Sequence, residues 1–461
     1  MTEFRIEQDS MGEVKVPAQA YYGAQTQRAV ENFPISDQPL PAGLIHALGL
    51  VKLAAAVVNR DLGKLKPELA EPIIHAAREV VAGKLDDQFP VDVYQTGSGT
   101  SSNMNANEVI SNRAIEQTGG NRFDKKKPIH PNDHVNMGQS TNDMFPTAIH
   151  VAVGQAISKE LIPALQRLQG VLADKARQWD DIIKIGRTHL QDAVPVRMGQ
   201  EFGGYARQVV AARERIGAAL GGIYELPLGG TAVGTGLNAP AGFARQTIAE
   251  IARRTGLPFV EAGDHFEAQA ARDAVCFLSG ALRGYAVALT KIVNDVRWLG
   301  SGPRCGLGEL RLPAVQPGSS IMPGKVNPVI AESLLMVCAQ VIGYDVTIAW
   351  CAAAGNFELN VMMPVMAFDL LDAIELLAAG SRNFAEKLVD GLEADRDRAE
   401  GFVEQSLAMG TALAPEIGYE KAAALVREAY AGGRTIREVA REESGIPKDR
   451  LDELLDPASQ V

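Results

Sequence analysis

Two long stretches, residues 266–299 and 330–353, constrain this chain more than anything else in it. The first has no proline, and Val275, Leu278, Leu282, Ala286, Leu289, Ile292, Val293 and Val296 recur at three and four, the period of a helix face. About 34 residues at 1.5 Å each reach roughly 50 Å. The second is apolar around most of its circumference, so it must be covered on several sides, in a multi-helix bundle or across subunits. The expected fold is mostly α, built on long central helices.

Helical periodicity continues from about residue 41, over 66–83, over 147–179 with Pro163 as a kink or break, over 199–220 and over 366–379. The first twenty residues alternate instead, with Phe4 and Ile6, a turn at Ser10-Met11-Gly12, then Val14 and Val16, which predicts a small hairpin. After residue 391 charge rises. Three regions follow: a mixed, mainly helical 1–140, a long-helix 141–392, and a small helical 393–461. The full length of 461 residues suits two or three domains. A net charge of −11 opposes nucleic acid or an anionic membrane as partner. No apolar run of about twenty residues predicts a membrane span, and the start lacks a basic and apolar leader. Cys276, Cys305, Cys338 and Cys351 form no C-x-x-C pair and read as reduced thiols of a cytosolic protein.

Four polar connectors punctuate these helices. Residues 318–328, Gly-Ser-Ser-Ile-Met-Pro-Gly-Lys-Val-Asn-Pro, hold two glycines and two prolines and must be loop. They carry two hydroxyls, an ammonium and an amide, and their glycines can turn N–H groups toward a carboxylate. A phosphate-binding P-loop is excluded by one residue of spacing between Gly318 and Gly324-Lys325, and by Val326 in place of a magnesium-binding hydroxyl. Residues 96–103 pass from Gly97-Ser98-Gly99 into a helix start, which suits an anion. Asn103, Asn105 and Asn107 either cap local turns or are held inward by polar partners. In 130–143, His130 and His134 have a metal-pair spacing, but Pro131 breaks the helix such a pair needs. Residues 187–192 hold His189 in a constrained turn, where a structural role is the commoner one. A glycine-rich stretch, 227–239, matches a dinucleotide fingerprint at Gly234, Gly236 and Ala239, but without a β-α-β unit or an acidic residue in a second strand it reads as a tight loop. The connectors together offer hydroxyls, amides, one histidine and one lysine, with no metal set and no carboxylate dyad. That inventory suits a small dianion, with histidine as acid or base.

The ten residues 318–327 resemble the signature loop of the fumarase/aspartase superfamily. Residues 97–105, Ser140-Thr141-Asn142-Asp143 and Thr188-His189-Leu190-Gln191-Asp192 resemble its other conserved regions. The likeness runs from Asp9-Ser10-Met11-Gly12 to 417–423, nearly the whole chain. Within the superfamily, 266–273 and 355–360 look like class II, iron-independent fumarases. Thr141 departs, because these more often have a second serine there and aspartases commonly show threonine. Aspartate ammonia-lyase is therefore the alternative. A non-catalytic relative of the lens-crystallin kind is disfavoured by intact His189, Ser319, Lys325 and Asn327.

This resemblance implies reversible hydration of fumarate to (S)-malate in the tricarboxylic acid cycle, in the cytoplasm, without a metal or other cofactor. It implies that Ser319 takes the C3 proton of malate to give an aci-carboxylate, and that His189, through water and oriented by Glu332, handles the hydroxyl. Ser98, Gly99, Thr100, Ser140, Thr141, Asn142, Thr188, Ser320, Lys325 and Asn327 are the implied carboxylate binders. His130, Pro131, Asn132 and Asp133 resemble a second dicarboxylate site, for which a structural turn is an equal reading. A homotetramer is implied, with a twenty-helix core and active sites shared among three subunits, and with no nucleic-acid or membrane partner.

Overall fold

A computed structural model of the chain describes residues 3–124 and 126–461. Met1 and Thr2, on which the reading of a leaderless start begins, lie outside the described residues, as does Lys125. The chain opens on the expected antiparallel hairpin, β1 (Phe4–Asp9) and β2 (Gly12–Pro17), paired from Phe4↔Pro17 to Asp9↔Gly12. Alternation sends Val14 and Val16 inward against Ala20 and Ala24.

Helices follow: α1 (Ala24–Asn32), α2 (Ala42–Asp61), α3 (Pro67–Val81), α4 (Thr100–Gln117), α5 (Thr141–Ala156) and α6 (Ile162–Gln178). A second hairpin, β3 (Ile183–Thr188) with β4 (Gln191–Arg197), precedes α7 (Met198–Ile223), α8 (Phe243–Thr255), α9 (His265–Ala270), α10 (Asp273–Leu299), α11 (Val329–Ala352) and α12 (Met363–Phe384). The end of the chain is α13 (Arg396–Gln405), α14 (Ala414–Ile417), α15 (Tyr419–Gly432), α16 (Ile436–Glu443) and α17 (Lys448–Leu454). The fold is mostly helical, as expected.

Four local expectations are corrected. The helix expected over 266–299 is two, because Ala271 is extended between α9 and α10. There the buried Arg272 turns its guanidinium back onto the Ala268 carbonyl, and Asp264 caps α9 through the N–H groups of Phe266 and Glu267. The helix expected from 147 starts at Thr141, on a capping box formed by Ser140 and Asp143. Its ladder widens at Ile157–Leu161, and Pro163 follows near the start of α6, where its missing N–H disturbs least. The connector around 186–196 is the β3–β4 hairpin. Finally, Glu225–Leu226 pairs in parallel with Val260–Glu261 across α8, so a minimal β-α-β unit does flank the glycine-rich loop, with Glu261 in its second strand.

By contacts the chain forms two compact units, one of residues 1–163, 214–286 and 339–378, the other of 164–213, 287–338 and 379–461. These cut across the sequence boundaries at 140 and 392. In the first unit α2 lies on α3, α5 and α8, with Leu44, Ala47, Leu48, Val51, Ala54 and Ala55 wholly buried. Gly49 allows close approach to α3, since a Cβ there would come within 2.7 Å of Val80. In the second unit Ile185 of β3 joins Val403, Leu413, Leu425, Val439 and Leu451 in one core. Trp179 meets Phe202 edge-to-face at 4.7 Å.

Among the described residues three helices, α2, α10 and α11, are long and apolar enough to cross a membrane, which corrects the expectation that no such stretch exists. Glu332 and Asp345 interrupt the run in α11 without lowering its average hydropathy enough. Most of α2 is buried (78%), whereas α10 and α11 are buried over only 44% and 33% of their apolar windows. Phe277, Val287 and Trp298 on α10 are exposed, as are Met336, Val346 and Trp350 on α11. The all-round apolar helix read from sequence is thus covered on one face by this chain alone.

Candidate functional site

In the first unit the starts of α4 and α5 come together. Gly99 enters α4 in the left-handed region (φ +82), and a Cβ at Gly97 would overlap the Val361 carbonyl, so both positions require glycine. The buried Ser98 hydroxyl lies 2.8 Å from that of Thr100, and Ser101 lies 3.0 Å from Thr96. The three asparagines sit inside α4, buried and turned to polar partners, the second of the two readings made of them. Asn103 donates to Thr141 Oγ1 at 2.7 Å, Asn105 to the Gln88 carbonyl at 2.9 Å, and Asn107 to Met104 Sδ at 3.6 Å. Asn142 donates to the Ala232 carbonyl at 2.8 Å.

Asp143 binds this region to the glycine-rich loop. One oxygen accepts from the Ser140 N–H at 2.9 Å, and the other accepts from Gly229 at 2.8 Å and Thr231 at 3.0 Å. Burial pushes its carboxyl up, opposed by these donors and by the Lys52 charge. The loop therefore holds an internal carboxylate where a dinucleotide phosphate would need the same N–H groups. Thr231 is β-branched yet has φ +55, and its carbonyl accepts from the buried Gln269 at 2.9 Å. Lys52 is wholly buried, its ammonium donating to Asn136 Oδ1 at 2.8 Å and Gln139 Oε1 at 3.0 Å. Burial pushes that ammonium far down, against the pull of Asp143.

In the second unit Thr188 ends β3 and His189 sits at the exposed tip of the hairpin. Thr188 pairs with Gln191, leaving His189 (φ +56) and Leu190 (φ +59) as the two turn residues, both left-handed. That geometry is normally filled by asparagine and glycine, so the turn holds backbone strain to present an imidazole. The 318–327 loop is closed on itself, since Asn327 Nδ2 donates to the Gly318 carbonyl at 2.5 Å and a Cβ on Gly318 would overlap the Lys325 carbonyl. Ser319 Oγ accepts from the N–H groups of Ile321 at 3.2 Å and Met322 at 3.0 Å. Ser320 and Lys325 are exposed beside it. Glu332 lies exposed in the first turn of α11, and among the described residues it has no hydrogen bond or ion pair with His189.

His130, Pro131, Asn132 and Asp133 form a capped turn in the first unit. His130 Nδ1 accepts from the Asp133 N–H at 3.2 Å, and the His130 N–H donates to His134 Nδ1 at 2.8 Å. His130, Pro131 and Asn132 border a cavity of about 380 Å³ whose wall also carries Glu7, Asp9, Glu108 and Lys127. Lys127 is paired with Glu7 at 3.4 Å, so carboxylates dominate that wall. No group of three or more histidine, cysteine or acidic residues is placed to hold a metal among the described residues, and the four cysteines are free thiols.

Lys52, Asp143 and Asn136 were not among the residues expected to work in a site. Lys52 carried a usable signal, a lone charge inside the apolar run of α2. The partners of Asp143 lie some 90 positions along the chain in a loop whose glycines suggested only a turn.

Comparison with known proteins is consistent across the chain. A family model described as a lyase family matches residues 12–343, and one for the fumarase C C-terminus matches 410–459. The class II fumarate hydratase of Thermosynechococcus vestitus is 54% identical over 98% of this chain and 96% of its own. That of Methylorubrum extorquens is 52% identical over 100% and 97%. The crystal structure of recombinant class II fumarase from Schistosoma mansoni superposes with a TM-score of 0.96 at 42% identity, covering 99% of this chain and 98% of that one.

Proposed function

The chain belongs to the class II fumarate hydratase family, and from that premise we propose how its residues interconvert fumarate and malate. Ser319 takes the C3 proton of malate as the base. The electron pair moves into the adjacent carboxylate, which becomes a doubly charged aci-carboxylate. Loss of the C2 hydroxyl, protonated by His189 through a water, then gives fumarate and water. Hydration is the same path reversed.

The observation that carries this reading is the pair of N–H groups on Ser319 Oγ. A serine is too weakly acidic to act as a base unless its alkoxide is favoured, and two backbone donors aimed at that oxygen favour it. Lys325, exposed on the same loop, adds a positive charge for a substrate carboxylate. Ser98, Thr100, Ser140, Thr141 and Asn142 gather hydroxyls, an amide and two helix N-termini for the dianion, and Thr188, Ser320 and Asn327 complete the set. Glu332 orients His189 from a neighbouring copy of the chain. The exposed apolar faces of α10 and α11 support assembly as a homotetramer in which subunits share each site.

The test is a spectrophotometric assay on purified protein without added metal or nucleotide. Loss of fumarate's ultraviolet absorbance with formation of malate is expected. Inertness to both, with ammonia released from aspartate, would replace this reading by the aspartase one that Thr141 leaves open.

A further inference from the structure

The buried face of α2 is apolar except at Lys52 and Asn59. Lys52 Nζ donates to both of its partners, which offer oxygen: Asn136 Oδ1 at 2.8 Å and Gln139 Oε1 at 3.0 Å. That fixes which way each amide points. Asn136 Nδ2 then donates to the Gln139 carbonyl at 3.1 Å, and Gln139 Nε2 to the carbonyls of Val135 and Met137, each at 3.2 Å. The oriented Asn136 oxygen also accepts from Asn103 Nδ2 at 3.4 Å, which holds the Asn103 amide with its nitrogen toward Asn136 and Thr141. Thr141 Oγ1 is consequently an acceptor toward Asn103, at 2.7 Å. Its own proton is left to be donated elsewhere. A carboxylate offers only acceptors, so a hydroxyl already set as a donor is what a dicarboxylate site needs.

We propose that Lys52 is a positioning residue for the substrate site: through Asn136 and Asn103 it fixes Thr141 as a hydrogen-bond donor to a substrate carboxylate. The proposal rests on the assignment of Thr141 to that site made above. Without the ammonium the Asn136 oxygen loses its charged donor, and only the Gln139 carbonyl on Nδ2 and the 3.4 Å bond from Asn103 hold the amide in place. The Asn136 amide can turn over, the Asn103 amide can follow, and the Thr141 hydroxyl then donates inward and is lost to the ligand. A Lys52 that only supported the packing of α2 would act on stability and on the site independently of Thr141.

A double-mutant cycle in the full-length protein separates these cases. Lys52→Met, Thr141→Val and the double variant are assayed for kcat and KM with fumarate, for inhibition by the unreactive dicarboxylate succinate, and for thermal midpoint. Each single variant is expected to weaken succinate binding about tenfold, the worth of one hydrogen bond to a charged group. The double variant is expected to be no weaker than Thr141→Val alone, even if its midpoint falls further. Multiplicative losses would overturn the relay while leaving Thr141 in the site. A Thr141→Val variant with unchanged KM and succinate inhibition would remove Thr141 from the site and the relay with it. Should Lys52→Met not fold, the cycle of Lys52→Gln with Thr141→Val reads out the same two outcomes.

Discussion

His150 shows how far burial moves a proton in this chain. It is buried in α5 with Nδ1 bonded to the Glu225 carbonyl at 2.9 Å. Burial first, and the Arg272 charge second, push its pKa down to about 3 from an ordinary 6.5. Between those values the unfolded chain binds a proton that the folded chain does not, so this contribution to stability is complete above pH 6.5 and is lost as pH falls toward 3. The span is on the order of 5 kcal/mol. Urea midpoints measured from pH 8 to pH 4 should fall more steeply in the wild type than in His150→Asn, and parallel profiles would contradict this. At the same scale, the residues the sequence puts forward as candidates are those with chemistry on display: Ser319, Lys325 and His189. Lys52 and Asp143 were hidden because their work depends on neighbours distant in sequence. A buried charge declares itself only when its surroundings are known.

The elements divide by how local their causes are. The helices at 42–61, 67–81, 198–223 and 329–352 follow from apolar periodicity, punctuated by proline or glycine at several of their ends, and the sequence reading placed them within a few residues. The break at Ala271 had no such punctuation; it coincides with Arg272 folding back onto the Ala268 carbonyl. The β3–β4 hairpin escaped for the opposite reason, because its turn residues, His189 and Leu190, are not turn formers. The 318–327 loop was legible as a loop, but its closure was not. Gly318 tests that closure. Gly318→Ala would push the loop open at the Lys325 carbonyl and separate Ser319 from its donors. It should lower kcat/KM at least about 100-fold, in line with the cost of misplacing a reacting group by an ångström. The thermal midpoint should hardly move, and near-normal activity would show that the closed form is not the working one.

For the whole molecule, the decisive feature is that the long apolar helices α10 and α11 are less than half buried over their apolar windows. Phe277, Met336, Val346 and Trp350 are exposed large apolar side chains, of the kind that copies of a chain bury against one another. Sedimentation should find the wild type as a tetramer, and Val346→Asp or Trp350→Asp should give smaller species that no longer hydrate fumarate. Fully active monomers would refute sharing of the site between subunits. The sequence bears on the proposed sharing only through an excess of apolar helix surface. The central claim is nevertheless chemical: the base is Ser319, held by two N–H groups on its own loop. The direct measurement is fumarate hydration by Ser319→Ala that sediments like the wild type. Turnover is expected to fall by roughly 10³-fold or more, the scale of a lost general base. Turnover within about tenfold of the wild type in an intact assembly would contradict it.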